Sequence, residues 1–359
     1  MATTLNPSPA AFCLSSMLPD LRWSTDQAEL RVRLYYQHPG QTLIETTLTA
    51  QNGYAKLYET RELIERYMRH NGLARAYPIN IQHLVEENGF YWQGDGALTV
   101  LFCEKNLSLP DDSPSQWLER NFLSTISVKP LPSIDEAVEQ LYFVQPQGTP
   151  HNPSLHVTYI DDSGSTETSD IQLSASYNPS ATNLFVCEFS INSLLTQLVD
   201  AVTIVAVTVS VGDRHMEYYR PARREHVAFR FLNAFNVMES AYLNAIVNRK
   251  TDDGRKLANV SGSLVHYDRK PVTEYEVETS PLSFEEASWI DQLITSPEVT
   301  LLDGTSVIIT DGKAECHNDN SELNKAKFTY KELDQRHTIT TEQQAANIFT
   351  VPPHSYQFS

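Results

Sequence analysis

At 359 residues and 40.6 kDa the chain is about two to three times the size of a usual single domain, which implies several hydrophobic cores. Its 45 acidic residues against 27 basic ones give a formal charge of -18 and a pI near 5.0, a balance that excludes nucleic-acid binding through a broad basic face. With 41% hydrophobic, 10% aromatic and 20% charged residues, the composition is that of a folded chain and not of a disordered one.

Strand signals dominate, because short runs of β-branched and aromatic residues alternate with polar ones between Gly, Asn, Asp and Pro. Leu30 to Tyr35 alternates at period two and ends at His38-Pro39-Gly40, and Thr42 to Ala50 is its expected partner. Asn52-Gly53 is a hairpin signature, because Asn-Gly readily takes positive φ, and it predicts a third strand over Tyr54 to Tyr58. Thr60 reads as the N-cap of a short helix with Leu63, Ile64, Tyr67 and Met68 on one face, ended by Asn71-Gly72. Strands over Ile79 to Glu86 and Ala97 to Lys105 complete an N-terminal β-rich module, residues 1–108.

Residues 109–152 are rich in Pro and Ser and read as a linker. Its one predicted helix, Ser133 to Phe143, is opened by the capping box Ser133-x-x-Glu136. A second β-rich module, 153–220, then repeats the order of the first. Leu155 to Ile160 is a strand, Asp161-Asp162-Ser163-Gly164 a turn, and Asn183 to Phe189 a strand running into the N-cap Ser190. Ile191, Leu194, Leu195, Leu198 and Val199 share one helical face, and Thr203 to Val211 with His215 to Tyr219 forms a hairpin around Gly212-Asp213. Each module thus has a strand feeding a short capped helix and then a strand pair, which suggests a duplication.

The third section, 221–345, contains strands at Phe229 to Phe231 and Tyr242 to Val247, with the longest β run expected over Leu264 to Thr279. Ser283-x-x-Glu286 caps a helix whose predicted buried stripe is Phe284, Ala287, Ile290 and Ile294, and which Pro297 closes. A tight hairpin, Val299 to Leu302 and Ser306 to Thr310 around Asp303-Gly304, precedes a last strand at Ala326 to Lys331. Residues 346–359, including Val351-Pro352-Pro353-His354, form a C-terminal arm without a core pattern. The fold class is therefore mainly β with a few short helices: two β-sandwich-like modules, each with a crossing helix, and a C-terminal β-α-β-hairpin domain.

Motifs for chemistry are sparse. There is no GxxxxGK[ST], no GxGxxG after a strand and no GxSxG, and Ser163-Gly164-Ser165 and Ser261-Gly262-Ser263 read as turns. Cys316-His317-Asn318-Asp319 is the nearest approach to a metal cluster, but adjacent residues of a strand point to opposite faces and do not readily converge on one ion. Asp161 to Glu167 has carboxylates and a glycine without the spacing of a calcium loop, and reads as a hairpin turn. Glu285 and Glu286 meet the positive end of a helix. Cys13, Cys103, Cys187 and Cys316 form no CxxC pair, and Cys103 and Cys187 lie in apolar runs as small buried hydrophobes. These residues point to no cofactor, no metal and no enzyme.

Interface candidates are the aromatic doublets Tyr91-Trp92 and Tyr218-Tyr219, each expected to turn one ring outward, and the basic cluster Arg220, Arg223 and Arg224. That cluster is either a solvated turn or a salt-bridge donor to an acidic neighbouring subunit. The first twenty residues contain no Lys or Arg and make a poor signal peptide, and Ala201 to Val211 is too short to span a bilayer, so a soluble protein is expected.

Phe229-Arg230-Phe231-Leu232-Asn233-Ala234-Phe235-Asn236-Val237-Met238-Glu239, then Glu274 to Thr279, Pro281 to Ala287 and the hairpin Val299 to Thr310, follow a strand, helix, hairpin, strand plan. This resembles tail and baseplate structural proteins of tailed bacteriophages, particularly the distal-tail type, over the last third of the chain. The resemblance implies a non-enzymatic virion subunit, assembled in the host cytoplasm into a homo-oligomeric ring at the tail tip and bound to other tail proteins, with no membrane and no specific nucleic-acid partner. The alternative is a carbohydrate-binding or adhesion β-sandwich surface protein, for which an exposed aromatic platform would hold a glycan.

Overall fold

The period-two runs fold as sheets. The computed structural model describes residues 3–333 except 7–11, 37–40, 71–76, 87–89, 105–112, 133–136, 146–151, 174–175, 178–183, 199, 222–225, 253–254, 261–262, 270–271 and 316–322. It is mainly β, with four short α-helices among the described residues.

The first module contains strands β1 (Thr4–Leu5), β2 (Phe12–Leu14), β3 (Leu21–Ser24), β4 (Glu29–Tyr36), β5 (Gln41–Thr49) and β6 (Tyr54–Leu57), helix α1 (Thr60–His70), and strands β7 (Tyr77–Glu86) and β8 (Phe90–Leu101). They form a three-stranded sheet, β1-β3-β6, facing a five-stranded one, β2-β8-β7-β4-β5. Alternation decides which side chains go inside: Leu30, Val32 and Leu34 of β4 pack with Ile79, Ile81, Leu98 and Val100 against Leu21, Trp23, Ala55 and Leu57. Full burial of each such side chain is worth about 1.5–3 kcal/mol. Ile64 and Met68 of α1 join this core.

Two local expectations change. Asn52 and Gly53 do take positive φ, 52° and 81°, but the turn closes only a single bridge between Gln51 and Tyr54. Instead of folding back on β5, β6 crosses to the other sheet and pairs with β3, because its inward residues Ala55 and Leu57 are needed to cover that side of the core. Thr60 is the first residue of α1, not its cap; its hydroxyl donates to the Leu57 carbonyl at 3.0 Å.

Helix α2 (Pro114–Arg120) follows, opened by a capping box between Ser113 and Gln116. The second module contains β9 (Val128–Pro130), β10 (Val138–Val144), β11 (Ser154–Asp161), β12 (Thr166–Gln172), β13 (Ser176–Tyr177), β14 (Leu184–Ser190), helix α3 (Ile191–Gln197), β15 (Ala201–Val211) and β16 (Arg214–Tyr219). The helix expected over Ser133 to Phe143 is corrected: residues 138–144 are strand β10, paired along its whole length with β14, while 133–136 lie outside the described residues. The segment read as a linker therefore supplies α2 and two strands of the second sandwich, β9 and β10.

The expected duplication is visible in the topology. The five-stranded sheet of this module runs β9-β16-β15-β11-β12, which matches β2-β8-β7-β4-β5 position by position, down to the one parallel contact at each end, β2 with β8 and β9 with β16. In each module the strand before the helix, β6 or β14, lies in the three-stranded sheet, and the hairpin after it lies in the five-stranded one. This is the Greek-key order of an immunoglobulin-like sandwich with a helix inserted where the chain crosses between sheets.

The third section contains β17 (His226–Leu232), β18 (Met238–Asp252), β19 (Arg255–Val260), β20 (Ser263–Arg269), β21 (Val272–Thr279), helix α4 (Phe284–Thr295), β22 (Val299–Leu301), β23 (Ser306–Glu315) and β24 (Lys325–Glu332). Six of these strands close a barrel in the order β17-β18-β21-β24-β23-β22, while β19 and β20 form a separate hairpin between β18 and β21. The long run expected over Leu264 to Thr279 is thus two strands, β20 and β21, and the longest strand is β18. The capping box at Ser283 forms as expected. Its buried face, however, is Ala287, Trp289, Ile290, Gln292 and Leu293, whereas Phe284, at the first helical position, is 52% exposed. Helix and barrel meet closely at Gly312 of β23, where a Cβ would stand 2.7 Å from Ile294 Cγ2.

Candidate functional site at the junction of the second sandwich and the barrel

The residues between α2 and β9 join the modules. Phe122 enters the core of the second sandwich, Leu123 a cluster shared by all modules, and Ile126 the core of the barrel. The shared cluster draws Leu14, Leu101 and Cys103 from the first module, Leu118 from α2, Val144 and Leu184 from the second, and Phe235 and Val237 from the turn between β17 and β18. Trp117 stacks on Phe235 there, centroids 5.4 Å apart.

Beside this apolar seam lies a buried ionic one. β9 brings Lys129, β10 Glu139, β16 Tyr218 and β18 Glu239, all of them buried. Lys129 Nζ lies 2.6 Å from Glu239 Oε1 and 3.2 Å from Glu139 Oε1, and 5.3 Å from the centroid of the Trp289 ring, within cation–π range. Tyr218 Oη donates to Glu139 Oε1 at 2.9 Å. Glu239 is held further by Ser124 Oγ at 2.7 Å and by Asn233 Nδ2 at 2.8 Å, and Asn233 Nδ2 also donates to the Leu123 carbonyl at 2.7 Å. Glu139 Oε2 has no partner.

Burial pushes the Glu139 carboxyl above its ordinary value of 4.5, and the Lys129 charge and the Tyr218 hydrogen bond only partly pull it back. Burial works against the Lys129 ammonium as well, but the two carboxylates outweigh it and hold Lys129 above its ordinary value. A protonated Glu139 leaves Lys129 and Glu239 as a neutral pair, whereas an ionised one leaves a buried excess negative charge. The folded chain binds the Glu139 proton more tightly than the unfolded chain does. Its contribution to stability is therefore complete below pH 4.5 and lost as the pH rises through the raised folded value. Glu139→Gln, which cannot ionise, is expected to gain stability relative to the parent in urea unfolding midpoints as the pH rises above 4.5. A difference between the two that does not change with pH would refute the assignment.

An ammonium, two carboxylates and a phenol are the parts of an acid–base site, but these four are sealed. The nearest pocket, about 200 Å³, is lined by Pro130, Tyr219, Tyr242, Glu286 and Trp289 among others, so the Trp289 ring that faces Lys129 also forms part of the pocket wall. What the cluster does in this setting is fix β9 and β10 of the sandwich to β18 and α4 of the barrel.

The residues singled out in the sequence divide between these surroundings. Tyr218 points inward to Glu139, while Tyr219, 40% exposed, lines the pocket and donates to Glu286 Oε1 at 2.8 Å. Tyr91 is exposed, but Trp92 has the Arg33 guanidinium 4.2 Å from its ring centroid and so does not present a bare face. Arg220 Nη1 donates to the Ile204 carbonyl of its own sheet at 2.9 Å. Arg223, Arg224 and the Cys316 to Asp319 segment lie outside the described residues. Asp161 accepts from Ser163 Oγ at 2.8 Å and Ser165 N at 2.7 Å, as a turn carboxylate does. Cys13, Cys103 and Cys187 are buried, and burial raises the thiols of Cys13 and Cys187 to about 12.

Sequence reasoning missed Lys129, Glu139, Glu239 and Arg214, because a charged residue at an inward position looks like any polar residue of an alternating run. Arg214 is 1% exposed. It donates to the carbonyls of Val144 at 2.8 Å, Val211 at 3.3 Å and Leu118, and lies over the Phe143 ring at 5.3 Å. His83, Asp95 and Trp23 form a further buried polar set in the first module, with Asp95 2.7 Å from His83 Nδ1 and accepting from Trp23 Nε1 at 2.8 Å.

Among the described residues no group of three or more His, Cys, Asp or Glu is placed to hold a metal ion, and no helix is long and apolar enough to cross a membrane. Neither a protein-family model nor a curated protein matches the chain. Among solved structures the chain is similar to the native conformation of E. coli alpha-2-macroglobulin, at 10% identity and a TM-score of 0.20, over 92% of this chain and 20% of that one. The chain spans a fifth of the length of that structure, and a likeness at this score carries no argument.

Proposed function

We propose that this chain is a non-enzymatic assembly subunit of a bacteriophage tail tip, of the distal-tail type that its third section resembles, forming a closed ring with copies of itself and connecting the tail tube to the host-recognition apparatus. One observation carries the reading: the three modules meet in one apolar cluster, so that packing and not a tether sets the angles between their outer surfaces. A ring closes only if the same head-to-tail contact recurs at a constant rotation, and that requires fixed angles within each subunit. The acidic surface suits either an outer wall or a lumen that does not trap a passing genome.

A second reading, an adhesion or carbohydrate-binding surface protein, is favoured by Phe90 and Tyr91, both exposed at the start of β8. Native mass spectrometry and electron micrographs of the purified chain separate the two. A closed assembly of constant copy number is expected; a monomer retained by a glycan affinity column would overturn the first reading for the second, and a monomer that is not retained would overturn both.

A further inference from the structure

Among the described residues the barrel closes on itself, but each sandwich has open edges, and an open edge presents a row of backbone N–H and C=O groups unpaired within the sheet, a template for another strand. Most of these edges are short. β1 and β13 are two residues long, β2 and β9 three, β6 four. β5, β10 and β12 are the longer ones; β10 packs against β18 of the barrel, while β5 and β12 occupy the same position in the duplicated sheet, next to β4 and β11 respectively.

Their sequences treat that position differently. β12, Thr166–Gln172, carries Glu167 and Asp170 among seven residues, the kind of charge that guards an edge. β5, Gln41–Thr49, is nine residues with the single charge Glu45, no Pro and no Lys, and it is built from Thr, Leu and Ile. Its core-facing residues Ile44, Thr46 and Leu48 lie opposite Leu34, Val32 and Leu30 of β4. Those three β4 residues are fully buried, whereas Ile44, Thr46 and Leu48 are only half-buried. The apolar layer of the first sandwich therefore continues to its rim, where the described residues cover it only in part.

We infer that β5 pairs antiparallel with β5 of a second copy of this chain, about a two-fold axis through Thr46. The sequence is self-complementary in that register. Ile44 faces the partner copy's Leu48 and Leu48 its Ile44, on the core side of both sheets, and Thr46 faces its own equivalent. On the outer side Glu45 faces Thr47, so no like charges meet. Shifting the axis to Glu45 sets the two glutamates directly opposite each other, a destabilising arrangement. Pairing in the Thr46 register joins two five-stranded sheets into one of ten and completes the burial of Ile44 and Leu48.

This names a self-contact and in that respect rests on the assembly reading. A two-fold contact alone yields a dimer, however, and a ring needs a separate head-to-tail contact. The test uses the full chain and two opposite charges at one outward position. Thr47→Glu places a carboxylate opposite Glu45 twice per dimer and is expected to weaken the dimer roughly tenfold. Thr47→Lys places an ammonium there and should leave the dimer intact or tighten it.

Sedimentation velocity over a concentration series reads both variants, with far-UV circular dichroism as the check on folding. Thr46→Cys in a Cys316→Ser background gives an independent readout, because residue 46 faces itself: a disulfide-linked dimer is expected on oxidation. A parent chain that stays monomeric, equal dissociation of the Glu and Lys variants, or no cross-link at residue 46 would overturn the contact. A ring that persists unchanged in Thr47→Glu overturns it while sparing the ring; dimers with no larger closed assembly overturn the ring while sparing the contact.

Discussion

Lys129→Met is expected to cost about 3–5 kcal/mol of stability, the range for removing one member of a buried ion pair and leaving the other uncompensated. Methionine keeps most of the lysine stem, so the packing beneath Trp289 is largely retained and the loss is electrostatic. Glu239, now without its partner at 2.6 Å, would have only Ser124 and Asn233 to hold a buried carboxylate. Calorimetry should show the melting temperature falling by roughly 4–7 °C for a chain of this size. Adding Glu239→Gln to Lys129→Met removes the stranded charge. The double variant should recover part of the loss, because groups in direct contact couple by about 0.5–3 kcal/mol. A Lys129→Met chain that melts with the parent, or a double variant whose loss is the plain sum of the two, would show that the cluster is not an ionic fastening.

Most of the fold is legible in the sequence because most of it follows the apolar pattern. β4 reads as a strand from Leu30, Val32 and Leu34 alone, α3 announces itself by the N-cap Ser190 and α4 by the capping box at Ser283, and the structure contains both caps. The repeat of the two sandwiches is readable from the order of elements, although the chain shows little internal identity. The error at β10 has a specific cause. Its inward residues are Glu139, Leu141 and Phe143, a correct period of two whose first member is a carboxylate. Read as polar, Glu139 breaks the alternation, and the Ser133-x-x-Glu136 pattern then suggests a helix that residues 138–144 do not form.

The same blindness hides the junction. Lys129, Glu139 and Glu239 are separated by up to 110 residues, and nothing local marks them as one cluster. Charges of opposite sign become a fastening only when three strands and a helix bring them together. What could be read was half of Tyr218-Tyr219: the doublet does place one ring on each side, but the ring that enters the ionic cluster is the inward one, which hydrogen-bonds to Glu139. Barrel closure was also out of reach, because pairing of β17 with β22 depends on the curvature of six strands and leaves no mark in the composition of either.

Arg214→Ala should be nearly as damaging as the loss of Lys129, for a different reason. The guanidinium fans out at the turn between β15 and β16 to reach carbonyls from α2 and β10 as well as its own hairpin, so three separate elements depend on one side chain. Burial lowers its pKa to about 10, opposed in part by Glu119 and Asp213, and it remains charged at neutral pH. Truncation leaves buried carbonyls without donors, at about 1–3 kcal/mol each, and opens a cavity beside Phe143. Arg214→Lys is not expected to rescue, since an ammonium lacks the planar fork that serves several acceptors at once. Because Leu118 of α2 belongs to the cluster where all three modules meet, the loss should spread beyond the second sandwich. Hydrogen exchange of Arg214→Ala should show faster exchange in α2 and β10 and also in the turn at Phe235, while β4, which contributes no residue to the cluster, stays protected. Faster exchange confined to the β15–β16 turn would mean that Arg214 merely stiffens its own hairpin.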